Sequence, residues 1–135
     1  MDQPKALPTI ARTTFIVHFI VAILTGVPLL IIPATFGAWF GYPAASPELE
    51  LPLRGFGAAL LGLGAVTSLY GILTKSWERV DYIVRGEITY LALQFIAFVV
   101  STAMGIGPLL GNVLFIVVSA VLLVLFAATF AARPR

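Results

Sequence analysis

Four long apolar stretches dominate this chain, near residues 13–33, 53–74, 83–104 and 108–131. Each is long enough to cross about 30 Å of hydrocarbon as a helix of about 20 residues. No other feature restricts the fold as strongly. A backbone in lipid must satisfy its N–H and C=O groups within its own segment or close into a barrel. Runs such as VLFIVVSAVLLVLF do not alternate as barrel strands do. The expected fold class is therefore all-α: a polytopic membrane protein built as an antiparallel bundle of four transmembrane helices, in one membrane domain over 1–135.

Composition supports the same solvent. Hydrophobic residues make up 60% of the chain and charged residues 10%, with a mean hydropathy of +1.05, whereas soluble domains are about a quarter charged. A water-soluble protein of this size could not bury so much apolar side chain. The net charge of +2 does not point to nucleic acid, because the eight Lys and Arg residues are scattered in ones and twos. With no Cys, disulfides, thiolate metal sites and Cys nucleophiles are excluded.

The connections read as membrane interfaces. Between the first two spans lies PATFGAWFGYPAASPELELP, with four prolines and the aromatics Phe36, Trp39, Phe40 and Tyr42. Residues 34–52 are expected as an interfacial loop with room for a short surface helix. The second connection, TKSWERVDY, is charged and offers Trp77 and Tyr82 as the opposite aromatic belt; the third, MGIGP, is a tight turn. Lys5, Arg12, Lys75, Arg79, Arg85, Arg133 and Arg135 fall on one side and Arg54 on the other. The positive side is cytoplasmic, so the expectation is a cytoplasmic (inner) membrane protein with both termini in the cytoplasm. The apolar run from Phe15 to Ile32 exceeds the h-region of a signal peptide, so a retained first span is expected.

Small residues mark the second span. Gly57, Gly64 and Gly71 recur every seven residues, Gly55 and Gly62 form a second such pair, and Gly64–Ser68 and Ala58–Gly62 are small-xxx-small pairs. Such stripes let helices approach closely in lipid. Packing inside the bundle and a homo-oligomer interface both remain open for Gly57, Gly64, Ser68 and Gly71; either makes this span a central helix.

Polar residues form one stripe per helix at 100° per residue: Thr14, His18 and Thr25 on the first, Glu87, Tyr90, Gln94 and Ser101 on the third, Asn112 and Ser119 on the fourth. Stripes of this kind face neighbouring helices rather than lipid. Depth lets His18, Tyr70 and Glu87, with Tyr90 and Ser68 slightly deeper, converge in the cytoplasmic third; Gln94, on the same stripe as Glu87 and Tyr90, is a further ligand-binding or proton-handling candidate. Asp81 stands four residues before Arg85 and is its expected partner, which leaves Glu87 without a local counter-charge. Glu87 can then snorkel to headgroup water, hold a proton, pair with His18 across helices, or meet a ligand.

No lysine lies in a span to hold retinal, and one His cannot give bis-imidazole haem ligation. G-x-S-x-G, H-E-x-x-H, P-loop and dinucleotide fingerprints are absent. No catalytic residue, metal site or cofactor is expected.

The layout resembles a broad group of small bacterial four-helix inner-membrane proteins, loosely DoxX-like. The carrying features are a Pro- and Gly-bearing first helix leading into FGAWFGYP, then LPLRGFGAALLGLGA opening the second, over roughly residues 15–75. The resemblance implies an architecture and no active site; some members of that group are associated with oxidoreductase complexes. The functional expectation is a binding or accessory protein, either a subunit of a larger membrane complex or a receptor for a lipid-like small molecule. A homo-oligomeric transporter or channel is the second reading and an intramembrane enzyme using Glu87 and His18 the third.

Overall fold

Proline and glycine set most helix ends in the computed structural model, which describes residues 5–134. Five helices result: α1 (Thr9–Ile31), α2 (Pro33–Trp39), α3 (Pro47–Leu73), α4 (Asp81–Ala103) and α5 (Leu109–Ala131). Pro33 and Pro47 occupy first-turn positions, where the missing N–H has no intrahelical partner to lose. The α4–α5 turn needs Gly105 and Gly107, both at positive φ. α1, α3, α4 and α5 are long and apolar enough to cross a membrane. The chain is thus an all-α four-helix bundle of the multi-pass membrane class.

Helix starts lie earlier than the hydropathy alone suggests, at Thr9, Pro47 and Asp81 rather than 13, 53 and 83. The largest difference is at α3, where Pro47 opens the helix and Glu48 and Glu50 sit in its first turn. Acidic side chains suit the positive end of the helix dipole, so the helix extends beyond the apolar run. The expected loop 34–52 therefore contains α2 and the first turns of α3. Within α3, residues Leu60–Ala65 form a π-helical segment.

The spanning helices stand in the order α3–α1–α5–α4. α1 packs on α3 and α5, and α4 packs on α5. α3 and α4 end the row and do not pack against each other. The expectation of a central second span is thus corrected: the central position belongs to α1. The reason is that α3 presents all its close-packing glycines to one neighbour. A Cβ at Gly57 would lie 2.6 Å from the Leu30 nitrogen and 2.8 Å from the Gly26 oxygen; one at Gly71 would lie 2.6 Å from the Phe15 ring. Gly64 abuts Ala22 and His18, and Ser68 is fully buried on the same side. By contrast, a Cβ at Gly55 or Gly62 would meet nothing within 4 Å.

Polar ties close both ends. At one end, Trp77 N–H donates to the Lys5 carbonyl (2.9 Å) and Leu7 N–H to the Lys75 carbonyl (3.1 Å). Arg85 Nε donates to Asp81 Oδ2 at 2.9 Å, and the guanidinium carbons of Arg85 and Arg133 lie 4.9 and 3.9 Å from the Phe130 ring centre. Trp77 is buried, with its ring 6.4 Å from Phe130. It is not the belt residue the sequence suggested, whereas Tyr82 is 85% exposed. Arg135, counted among the topology residues, lies outside the described residues. At the other end Arg54 donates to the carbonyls of Leu30 (2.7 Å) and Ile31 (3.0 Å) and to Glu50 (3.1 Å). It caps the C-terminus of α1, where orphan carbonyls and the negative dipole end favour a cation.

Candidate functional site

His18 sits on the inward face of α1, nearly buried, between three other helices. Its Nδ1 is 2.8 Å from Ser68 Oγ of α3. Its ring meets Phe126 of α5 edge-on at 5.2 Å. Its Nε2 points at Glu87 Oε2 of α4 across 3.6 Å, with the two side chains only 5% and 12% exposed. Of the partners open to Glu87, the fold supplies His18. Arg85, two residues away, is turned to Asp81 and Phe130.

The pair has two hydrogen-bonding arrangements. With Ser68 donating to Nδ1, the ring proton sits on Nε2 and faces the Glu87 carboxylate. With Nδ1–H donating to Ser68, Nε2 either accepts from a protonated Glu87 or, in an imidazolium, donates to its carboxylate. At 3.6 Å the contact is just beyond hydrogen-bond length, so a hydroxyl could bridge the two only from beside the pair.

Two cavities meet at this point. The larger, about 650 Å³, runs from His18, Tyr90, Gln94 and Ser119 to Pro33, Phe36, Phe40 and Tyr42 near the opposite end of the bundle. The smaller, about 290 Å³, fills the gap between α3 and α4 and is lined by Ala59, Leu63, Gly64 and Thr67 facing Ile83, Gly86 and Glu87. His18, Phe56, Leu60 and Tyr90 line both. The result is an apolar cleft entered sideways between α3 and α4, with a polar floor. Sites of this size, mostly apolar with a few convergent polar groups, hold small molecules.

The segment after α2 covers the far end of the larger cavity. Tyr42 O–H donates to Asn112 Oδ1 at 2.9 Å, and Asn112 Nδ2 donates to the Ile106 carbonyl at 2.7 Å. The Tyr42 ring lies so close to Gly111 that a Cβ there would be 2.5 Å from it. Burial raises the Tyr42 phenol pKa above its ordinary value.

Glu87, Tyr90 and Gln94 share one face of α4 and come together with His18 at the cleft. Tyr70 does not join them; it is 45% exposed. With Ser68 and Gly71 both turned to α1, the helical rotation carries Tyr70 to the outside. Ser68, read from sequence both as a packing residue and as a member of this polar convergence, is the hydrogen-bond partner of the histidine. The π segment, the lining role of Phe56 and Leu60, and the Tyr42 clasp were not read from the sequence. FGAWFGYP carried a signal for the clasp, since its aromatics are far denser than a plain connection needs. His18 and Glu87 are two possible metal ligands; among the described residues no third His, Cys, Asp or Glu joins them.

The fold and the site define a multi-pass membrane protein with a lateral apolar cleft ending on a histidine–carboxylate pair. Compared with protein families, with characterised proteins and with solved structures, the chain gives no significant match.

Proposed function

We propose that this protein is a membrane-embedded receptor for a lipid-like small molecule, which enters between α3 and α4 and rests its polar end on His18 and Glu87. One observation carries the reading: a 650 Å³ apolar cavity converges on the buried pair, with a second cavity opening it sideways. Ionisable groups within spans are costly and mark sites of function. The face of α3 that carries Gly57, Gly64 and Gly71 adds nothing to an oligomeric transporter, because α1 already occupies it.

The proposed setting is the cytoplasmic membrane, termini inward, as in the DoxX-like group that the layout resembles. Two things support it: the basic residues gather at one end, and the exception, Arg54, has a structural task in capping α1. Native mass spectrometry of the gently solubilised protein tests the function. A retained hydrophobic molecule, lost in Leu60→Trp, is the expected result, together with thermal stabilisation by members of a lipid and quinone panel. A ligand-free complex with larger partners at fixed stoichiometry would replace this reading with that of an accessory subunit.

A further inference from the structure

Resting on the reading of the cleft as a lipid-like ligand site, we infer that its occupant is an uncharged amphiphile whose head donates hydrogen bonds: a hydroxyl-bearing group on a hydrocarbon tail. Charge decides the first half. Neither cavity is lined by lysine or arginine, while Glu87 lines the smaller one. The nearest basic residue in sequence, Arg85, is held by Asp81 and stacked over Phe130, and Arg54 is bound to α1 carbonyls at the opposite end. A phosphate or carboxylate head would therefore sit beside a carboxylate in a low-dielectric site with no counter-ion. A cationic head is disfavoured for a different reason. It would have to shed its water inside an apolar cleft to pair with a single carboxylate, and that desolvation offsets the Coulomb gain.

Hydrogen-bond capacity decides the second half. Gln94, Tyr90 and His18 can each donate as well as accept, whereas the Glu87 carboxylate only accepts, and it is the one charged group among the described residues that lines either cavity. Among the described residues no side chain donates a hydrogen bond to Glu87, and His18 Nε2 approaches it only to 3.6 Å. A carboxylate at this degree of burial needs donors. A hydroxyl head supplies them from beside the pair, in the smaller cavity that His18 and Glu87 both line. The tail has room along α1 from His18 to Leu29, both lining the larger cavity; eleven residues at 1.5 Å give roughly 16 Å.

The test uses three probes of one chain: oleyl alcohol, oleyl phosphate and oleylamine, each titrated against the full-length protein in nanodiscs with native mass spectrometry and Tm as readouts. Oleyl alcohol should bind about tenfold or more tighter than either charged probe. Glu87→Gln removes the charge but keeps an acceptor, and should narrow the gap between the alcohol and the phosphate; the ranking on the unmodified protein stands even if that variant fails to fold. Phosphate or amine binding as tightly as the alcohol, and lost in Leu60→Trp, would overturn the head-group assignment while leaving the receptor reading intact. Failure of all three probes to bind would overturn both.

Discussion

Tyr42 shows how one side chain can hold two connections together. Its hydroxyl bonds buried Asn112, and its ring fills the space that Gly107 and Gly111 leave open. Tyr42→Phe keeps the ring but leaves the Asn112 carbonyl oxygen unpaired, and should cost about 1–3 kcal/mol, read as lowered stability in denaturant titration. The same phenol has a pH consequence. Its folded-state pKa is raised by burial, so its contribution is complete below about pH 10 and is lost as pH rises through the raised value. Wild type should therefore lose stability more steeply than Tyr42→Phe from about pH 10 up to the raised value; parallel pH curves for the two proteins would refute it. At this scale the sequence was partly legible. The Asp81–Arg85 pair followed from spacing alone, because four residues on one helix fix the geometry. The Tyr42–Asn112 bond joins residues 70 positions apart, and no local rule connects them.

Among the elements, α3 separates two kinds of glycine that look alike in sequence. Gly57 lies backbone to backbone on α1, so a methyl group there meets atoms that cannot move aside. Gly62 faces open space. Gly57→Ala should destabilise by about 1–3 kcal/mol through overpacking. Gly62→Ala should be neutral or slightly stabilising, since alanine is the better helix former by about 1 kcal/mol. Thermal or denaturant unfolding of both variants in the same micelle checks the contrast; equal effects would mean that α1 does not sit on the Gly57 face. The seven-residue repeat identified Gly57, Gly64 and Gly71 as a face. It could not say whether a helix of this chain or of a second copy would cover it, because small-residue packing works equally well in both.

All the basic groups but Arg54 are assigned to one end of the molecule and the α2 segment to the other, and that asymmetry sets the topology prediction. The chain has no Cys, so single replacements report cleanly. Ser46→Cys should react with a membrane-impermeant maleimide in intact cells, and Lys75→Cys only after permeabilisation; the reverse pattern would invert the proposed orientation.

The sequence by itself determined the solvent, the four spans and the helical class. Those follow from hydrophobicity and backbone hydrogen bonding, which act along contiguous residues. It also put Glu87, Tyr90 and Gln94 on one face and left Glu87 without a local partner. Only the tertiary structure decided that α1 is central, that His18 rather than Tyr70 meets Glu87, and that α3 and α4 stand apart to leave a cleft. These are outcomes of how helices rotate and pair, and in lipid every apolar face is equally content with a neighbour or with hydrocarbon. Close contact is then selected by the fit of glycine against backbone, a property of two surfaces that one strand of sequence does not contain.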